Sequence, residues 1–144
     1  MALIRNIWLT MKEILRLTQQ RINEELKPLD LSSSEGDILF LLLTNKDKLH
    51  QEQLAELLDI GKAAISRAVA SLESKGYIKR MREPDDKRAY NVYLTDKALA
   101  VSNKIEAAYH RLYEAAKMNI TAEEAHNLET LLEKIAANIQ ISPE

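Results

Sequence analysis

The 144-residue chain is long enough for one compact domain with a few extra helices, and its 46% apolar content supplies a core that only three Gly and three Pro interrupt. It holds no Cys, which excludes a disulfide framework, a thiolate metal site and a cysteine redox switch. The formal net charge of −2 hides a segregated distribution: residues 1–60 carry seven basic against ten acidic side chains, residues 61–90 eight against four, and residues 95–144 five against eight.

The N-terminal stretch mixes charges into its apolar residues, so it reads neither as a signal peptide nor as a membrane span, and the protein is expected to stay in the cytoplasm. Along residues 3–26, Ile4, Trp8, Met11, Leu15, Thr18 and Ile22 recur in steps of four and three, the seam of a packed helix that Pro28 stops. Ser32-Ser33-Ser34-Glu35 has the spacing of a capping box, in which side chain and backbone satisfy each other's orphan donors. The apolar run 38–43 behind it predicts a buried second helix, with residues 45–48 as its exit loop.

Residues 51–58 place Leu54, Ala55 and Leu58 on one face, and the chain then turns through Asp59-Ile60-Gly61 into residues 62–75, where Ile65, Val69 and Leu72 repeat the helical period. Two short helices joined by about four residues make a helix-turn-helix. Gly76 is placed to end the second helix in a left-handed conformation. Residues 77–82 and 89–94 read as two strands of a hairpin, since Tyr90, Val92 and Leu94 alternate with their neighbours, and the charged turn 83–88 makes a basic tip. Thr95 caps a long helix expected from 96 to about 117. Thr121-Ala122-Glu123-Glu124 is a second capping box opening a helix from 122 to about 139, striped by Leu128, Leu131, Leu132, Ile135 and Ile139. No heptad run is long enough for a free-standing coiled coil, so the terminal helices bury their stripes on each other or on a second copy.

The expected fold is therefore mainly α with a small β-hairpin wing: a winged helix-turn-helix over residues 29–95, flanked by dimerisation helices in residues 1–28 and 96–144. Such a unit suits double-stranded DNA. The start of its second helix offers Lys62 and Arg67 as donors to guanine, Ser66 for base edges or phosphate, and the Ala63 and Ala64 methyls for thymine, while Ile65 points to the core. Ser34, Gln51 and Lys62 stand at helix starts, where free backbone N–H groups hold phosphates. At the wing tip Asp86 orients Arg88 toward the minor groove, with Arg82, Lys87, Lys79 and Arg80 adding phosphate contacts. The cations between Gly61 and Arg88 are expected to converge on one DNA-facing surface. The plainer alternative makes Lys62 and Arg67 solvated helix charges, and Asp86 and Arg88 a surface ion pair.

Asp86-Lys87-Arg88 with Val92-Tyr93-Leu94-Thr95 resembles the Asp-x-Arg wing signature of the MarR/SlyA family of bacterial transcriptional regulators. Leu54-Ala55, Ile65-Ser66-Arg67, Leu72-Glu73 and Gly76-Tyr77-Ile78 are similarly placed, and the likeness spans nearly the whole chain. It implies a triangular homodimer with interlocked terminal helices, a roughly palindromic operator, and repression relieved by a small anionic or phenolic compound, an oxidant or a metal. The absence of Cys rules out thiol oxidation here. Trp8, Met11 and Tyr109 are candidate walls of an effector pocket, with Lys12 or Arg16 holding an anion; ordinary packing and surface charge explain them more simply.

His50, His110 and His126 include no i,i+4 metal pair, so a metal-responsive regulator would rest on His110 with Glu106 or Glu114, and no metal or cofactor is expected. The sequence shows no phosphate-cradling Gly-rich loop, no Gly-x-Ser-x-Gly and no His-x-x-x-His, which argues against an enzyme. A winged-helix protein-interaction module without DNA binding would carry an acidic or apolar recognition turn, and this one is basic.

Overall fold

The computed structural model describes residues 1–45, 49–82, 84–85 and 90–141. Two compact units are distinguished, Met1–Leu112 and Tyr113–Glu144.

In the first unit, α1 (Ala2–Leu26) runs for 25 residues but buries only Ile22 and Leu26. A 3₁₀ turn at Lys27–Leu29 containing Pro28 ends it, and Asp30 takes a left-handed conformation (φ 57°) as its N–H returns to Lys27 O. Helix α2 (Ser33–Thr44) opens with the expected capping box: Ser32 accepts from the Glu35 N–H, and Glu35 accepts from the Ser32 N–H. Its Ile38, Leu39 and Leu42 form the middle of the core.

A short strand β1 (Leu49–His50) leads into α3 (Gln51–Leu58), where Gln53 accepts the His50 N–H at 2.8 Å. The turn into α4 (Lys62–Ser74) uses its left-handed residue at Asp59 (φ 51°), whereas Gly61 is an extended N-cap at φ −66°. Asp supports that conformation through its short polar side chain. Leu54 from α3 and Ile65, Val69 and Leu72 from α4 are buried against one another and α2. Gly76 (φ 85°) then reverses the chain, as its position after α4 predicts.

The wing differs from a simple hairpin. Strands β2 (Ile78–Arg82) and β3 (Tyr90–Leu94) pair antiparallel, and β1 joins the other edge of β3 to give the order β1-β3-β2. Leu49 and Arg80 both lie opposite Val92. Tyr77, expected to begin the strand, instead closes the turn after α4: its N–H bonds Leu72 O and its hydroxyl donates to Leu29 O at 2.7 Å. Ala89 lies outside the described residues.

The single helix expected from 96 to about 117 is broken. Helix α5 (Asp96–Ala100), capped by Thr95, stops at Val101, and α6 (Ser102–Ala116) restarts at once. The Ser102 hydroxyl donates to Leu99 O at 2.8 Å, taking over a carbonyl that an unbroken helix would use, and β-branched Val101 adopts φ −107°. Ile105, Ala108 and Tyr109 of α6 complete the core.

The second unit contains the end of α6 and α7 (Ala122–Ile139), with its expected Thr121/Glu124 capping box. Among its described residues none is buried; Leu128, Leu131 and Ile139 are each more than half exposed.

Candidate nucleic-acid interface

Helix α4 divides cleanly between a buried and an outward face. Ile65, Val69 and Leu72 point into the core, as expected of Ile65; at 100° per residue Ala63 and Arg67 fall on the opposite side with Ser66 beside them, all exposed, Ala64 is half-buried at the other edge, and Lys62, on the azimuth of the core residues, is exposed at the first position of the helix. The N-cap Gly61 has no side chain, and a Cβ built there would meet nothing within 4 Å. The first N–H groups of this helix, which lack intrahelical acceptors, receive no side-chain cap.

The other helix starts are less alike. Ser34 is exposed in the first turn of α2, beside Ser33, whose N–H is held by Asn23 Oδ1 at 2.6 Å. Gln51 is half-buried at the start of α3, and its Oε1 sits in the interior without a hydrogen-bond donor among the described residues.

The basic window does not all reach the surface. Lys75 turns inward, donating to Asp30 O at 2.6 Å and Glu35 Oε1 at 3.0 Å. The buried Glu35 carboxylate also accepts from Ser71 at 2.9 Å. Burial raises its pKa, but the Ser32 N–H, the Lys75 ammonium and the hydroxyls outweigh that and hold it below the usual carboxylate value. Arg80 is bound by Glu73, whose Oε1 accepts from Nη2 at 3.1 Å and Nε at 3.3 Å, and whose Oε2 accepts the Arg80 N–H at 3.0 Å. Hydrogen bonding from Arg80 lowers the Glu73 pKa. Lys79 and Arg82 remain exposed with Lys62 and Arg67. The expectation that every cation from 61 to 88 faces one surface thus gives way to a divided set, in which Lys75 and Arg80 serve the fold. Asp86, Lys87 and Arg88 lie outside the described residues.

The five candidate effector residues have separate surroundings. Lys12 Nζ lies 5.6 Å from the half-exposed Trp8 ring, Met11 is half-buried on the same helix, and Arg16 reaches Glu13 at 3.9 Å. Tyr109 is a core residue, stacked on Phe40 with ring centroids 4.2 Å apart and donating to Asp37 Oδ1 at 2.5 Å. Burial raises the Asp37 pKa, which the Tyr109 hydrogen bond only partly offsets. A recess of about 360 Å³ between the end of α1 and α6 is lined by Glu25, Pro28, Leu29, Lys104 and Arg111 among others, and by none of the five. Among the described residues no group of three or more His, Asp or Glu is placed to hold a metal ion, and no helix is long and apolar enough to cross a membrane.

Sequence reasoning missed the Glu35–Ser71–Lys75 and Glu73–Arg80 links. Ser71 on α4 and Lys75 at its C-cap are spaced i,i+4, which was a legible signal for one shared partner. The partner itself, 36 residues upstream of Ser71, was not.

Comparison with known proteins agrees with this geometry. Residues 29–89 match the family model described as MarR family. A MarR protein from Peptoclostridium difficile is 28% identical with a TM-score of 0.83, over 93% of this chain and 87% of that one. A mutant MarR from E. coli, solved with operator DNA, is 26% identical with a TM-score of 0.78, over 92% and 94%. The MepR–DNA complex of S. aureus, 21% identical with a TM-score of 0.81 over 92% and 96%, shares the fold. The helix-turn-helix and most of the wing thus lie in the segment that matches the MarR family model, and the fold as a whole is similar to that of the MarR structures.

Proposed function

We propose that the chain is a DNA-binding transcriptional regulator that acts as a homodimer on a pseudo-palindromic operator, represses transcription there, and is released by a small anionic or phenolic ligand. The observation that carries the DNA reading is the outward face of α4: Ala63, Ser66 and Arg67, with Lys62 at the helix start, are exposed on a helix whose other face is fixed in the core. Such a face presents bidentate donors, a hydroxyl and a methyl, the set that distinguishes base pairs in a major groove. Similar proteins from E. coli and S. aureus were solved with DNA, which supports the same partner for this chain.

The dimer reading rests on apolar surface that a lone chain leaves in water. Leu3, Ile4, Leu9 and Leu15 on α1, and Leu128 and Leu131 on α7, are each more than half exposed. Exposed apolar helix faces of that kind mark interfaces, and a second copy supplies matching surface.

Selection of bound fragments from random duplex DNA by the purified protein tests the reading. An enriched inverted repeat with half-sites about 10 bp apart is expected, one helical turn for a two-fold dimer. Recovery of sequences no different from the starting pool would refute sequence-specific binding. Arg88→Ala is expected to weaken binding across many sequences and to reduce any A·T preference in the flanks.

A further inference from the structure

Between α4 and the wing runs a continuous line of polar and aromatic contacts that the DNA reading does not itself require. Glu73, one residue before the end of α4, holds both the guanidinium and the backbone N–H of Arg80 in β2. The Arg80 guanidinium in turn lies 5.3 Å from the centre of the Tyr90 ring in β3. Arg82, two residues further along β2, lies 5.4 Å from the same ring and donates from Nε to the Tyr90 hydroxyl at 3.2 Å. Arg80 and Arg82 share one face of β2, and Tyr90 is the direct cross-strand partner of Arg82, so the contacts run outward from helix to wing without a gap.

Their use follows from leverage. A five-residue strand is about 17 Å long, so a swing of about 10° at its root displaces its far end by about 3 Å. That is a full hydrogen-bond length. Strand β1 pairs β3 only at Val92 and Asn91, the middle of the ribbon, and leaves both the root pairs, Ile78–Leu94 and Lys79–Tyr93, and the outer pair, Arg82–Tyr90, as two strands, an arrangement with little stiffness of its own. A carboxylate that grips both the side chain and the main chain of Arg80 fixes the strand's position as well as its charge. Half-exposed ion pairs add little to stability, so orientation is the property this arrangement is built to supply.

We propose that Glu73, Arg80 and Tyr90 form a strut that sets the angle between α4 and the wing, so that both meet DNA as one rigid surface. They are positioning residues, with Arg80 held away from phosphate. This rests on the DNA-binding reading above and assigns within it a division of labour: α4 reads the half-site, and the strut determines whether the wing reads the flank.

The test uses the full chain and the inverted repeat enriched by selection, measuring affinity for duplexes altered either in the half-sites or in the flanks. Glu73→Gln and Arg80→Gln are each expected to lower flank discrimination about fivefold, with half-site discrimination intact and the double variant no worse than either single one, as coupled groups behave. The slope of affinity against salt stays unchanged, because no phosphate contact is lost. Arg80→Lys, which keeps the charge but loses the planar fork, is expected to behave like Arg80→Gln. The strut is overturned if Glu73→Gln binds more tightly with a steeper salt slope, which would make Arg80 a phosphate contact that Glu73 restrains. It is equally overturned if flank and half-site discrimination fall together in proportion to melting temperature, or if the variants discriminate as the wild type does. A wild-type protein that enriches no sequence overturns the DNA reading instead, before any variant is compared.

Discussion

Two carboxylates on α2, two residues apart, respond to burial in opposite ways. Glu35 is surrounded by donors from Ser32, Ser71 and Lys75, and its pKa is depressed; Asp37 is half-buried beside the Tyr109 hydroxyl, and its pKa is raised by the partial burial. The Glu35 network contributes stability above the usual carboxylate range, and this is lost as pH falls through the depressed native value. Asp37 has the other sign: the native state favours its protonated form, so its ionisation lowers stability as pH rises through the raised native value. Thermal melts between about pH 3 and 7 are expected to show a shallower acid loss in Glu35→Gln, and Asp37→Asn no less stable than the wild type at neutral pH. Gly36 between them meets a steric limit, since an added Cβ would clash with Leu26 Cδ1 and stand 3.1 Å from the Tyr109 hydroxyl, both in the core. Gly36→Ala is expected to lower unfolding free energy by about 1–3 kcal/mol in urea titrations, because neither neighbour has room to retreat.

At the scale of elements, the features legible in the sequence were those written in local chemistry. Both Ser/Thr-x-x-Glu boxes cap the helices they announce, and Gly76 takes the left-handed conformation at the end of α4. Those that escaped depend on partners far along the chain. Strand β1 is two residues long and exists because β3 offers it a free edge, which no pattern in Leu49-His50 reveals. The break at Val101 follows a Ser hydroxyl competing for a helical carbonyl, a choice that periodicity alone does not resolve. Thr95 joins these elements: its hydroxyl donates to Gly76 O at 2.6 Å and accepts the Ala98 N–H at 3.3 Å, tying the end of α4 to the start of α5. Thr95→Ala is expected to cost about 1–2 kcal/mol in the same titrations, at the upper end for a lost N-cap because it also strands the Gly76 carbonyl. The outward face of α4 was legible for a similar local reason, since 3.6-residue periodicity alone separates Ala63, Ser66 and Arg67 from Ile65 and Val69. The inward turn of Lys75 and Arg80 was not, because it depends on where Glu35 and Glu73 stand in space.

For the whole molecule, the proposed account divides the work between helices that leave apolar faces in water and a lobe that presents α4. If a second copy covers α7, Leu128→Lys combined with Leu131→Lys is expected to weaken the dimer by about 2 kcal/mol or more, read by sedimentation equilibrium, since central apolar contacts carry most of an interface. The central claim concerns α4 itself, and the most direct measurement compares wild type and Arg67→Ala on the selected operator and on single-base variants of each half-site. A lost bidentate contact to a base is worth about 1–3 kcal/mol, so the wild type is expected to lose about tenfold or more in affinity at one base pair to which Arg67→Ala has become indifferent. Equal losses by both proteins at every base pair would contradict the account, because the outward face of α4 would then not be what reads the sequence.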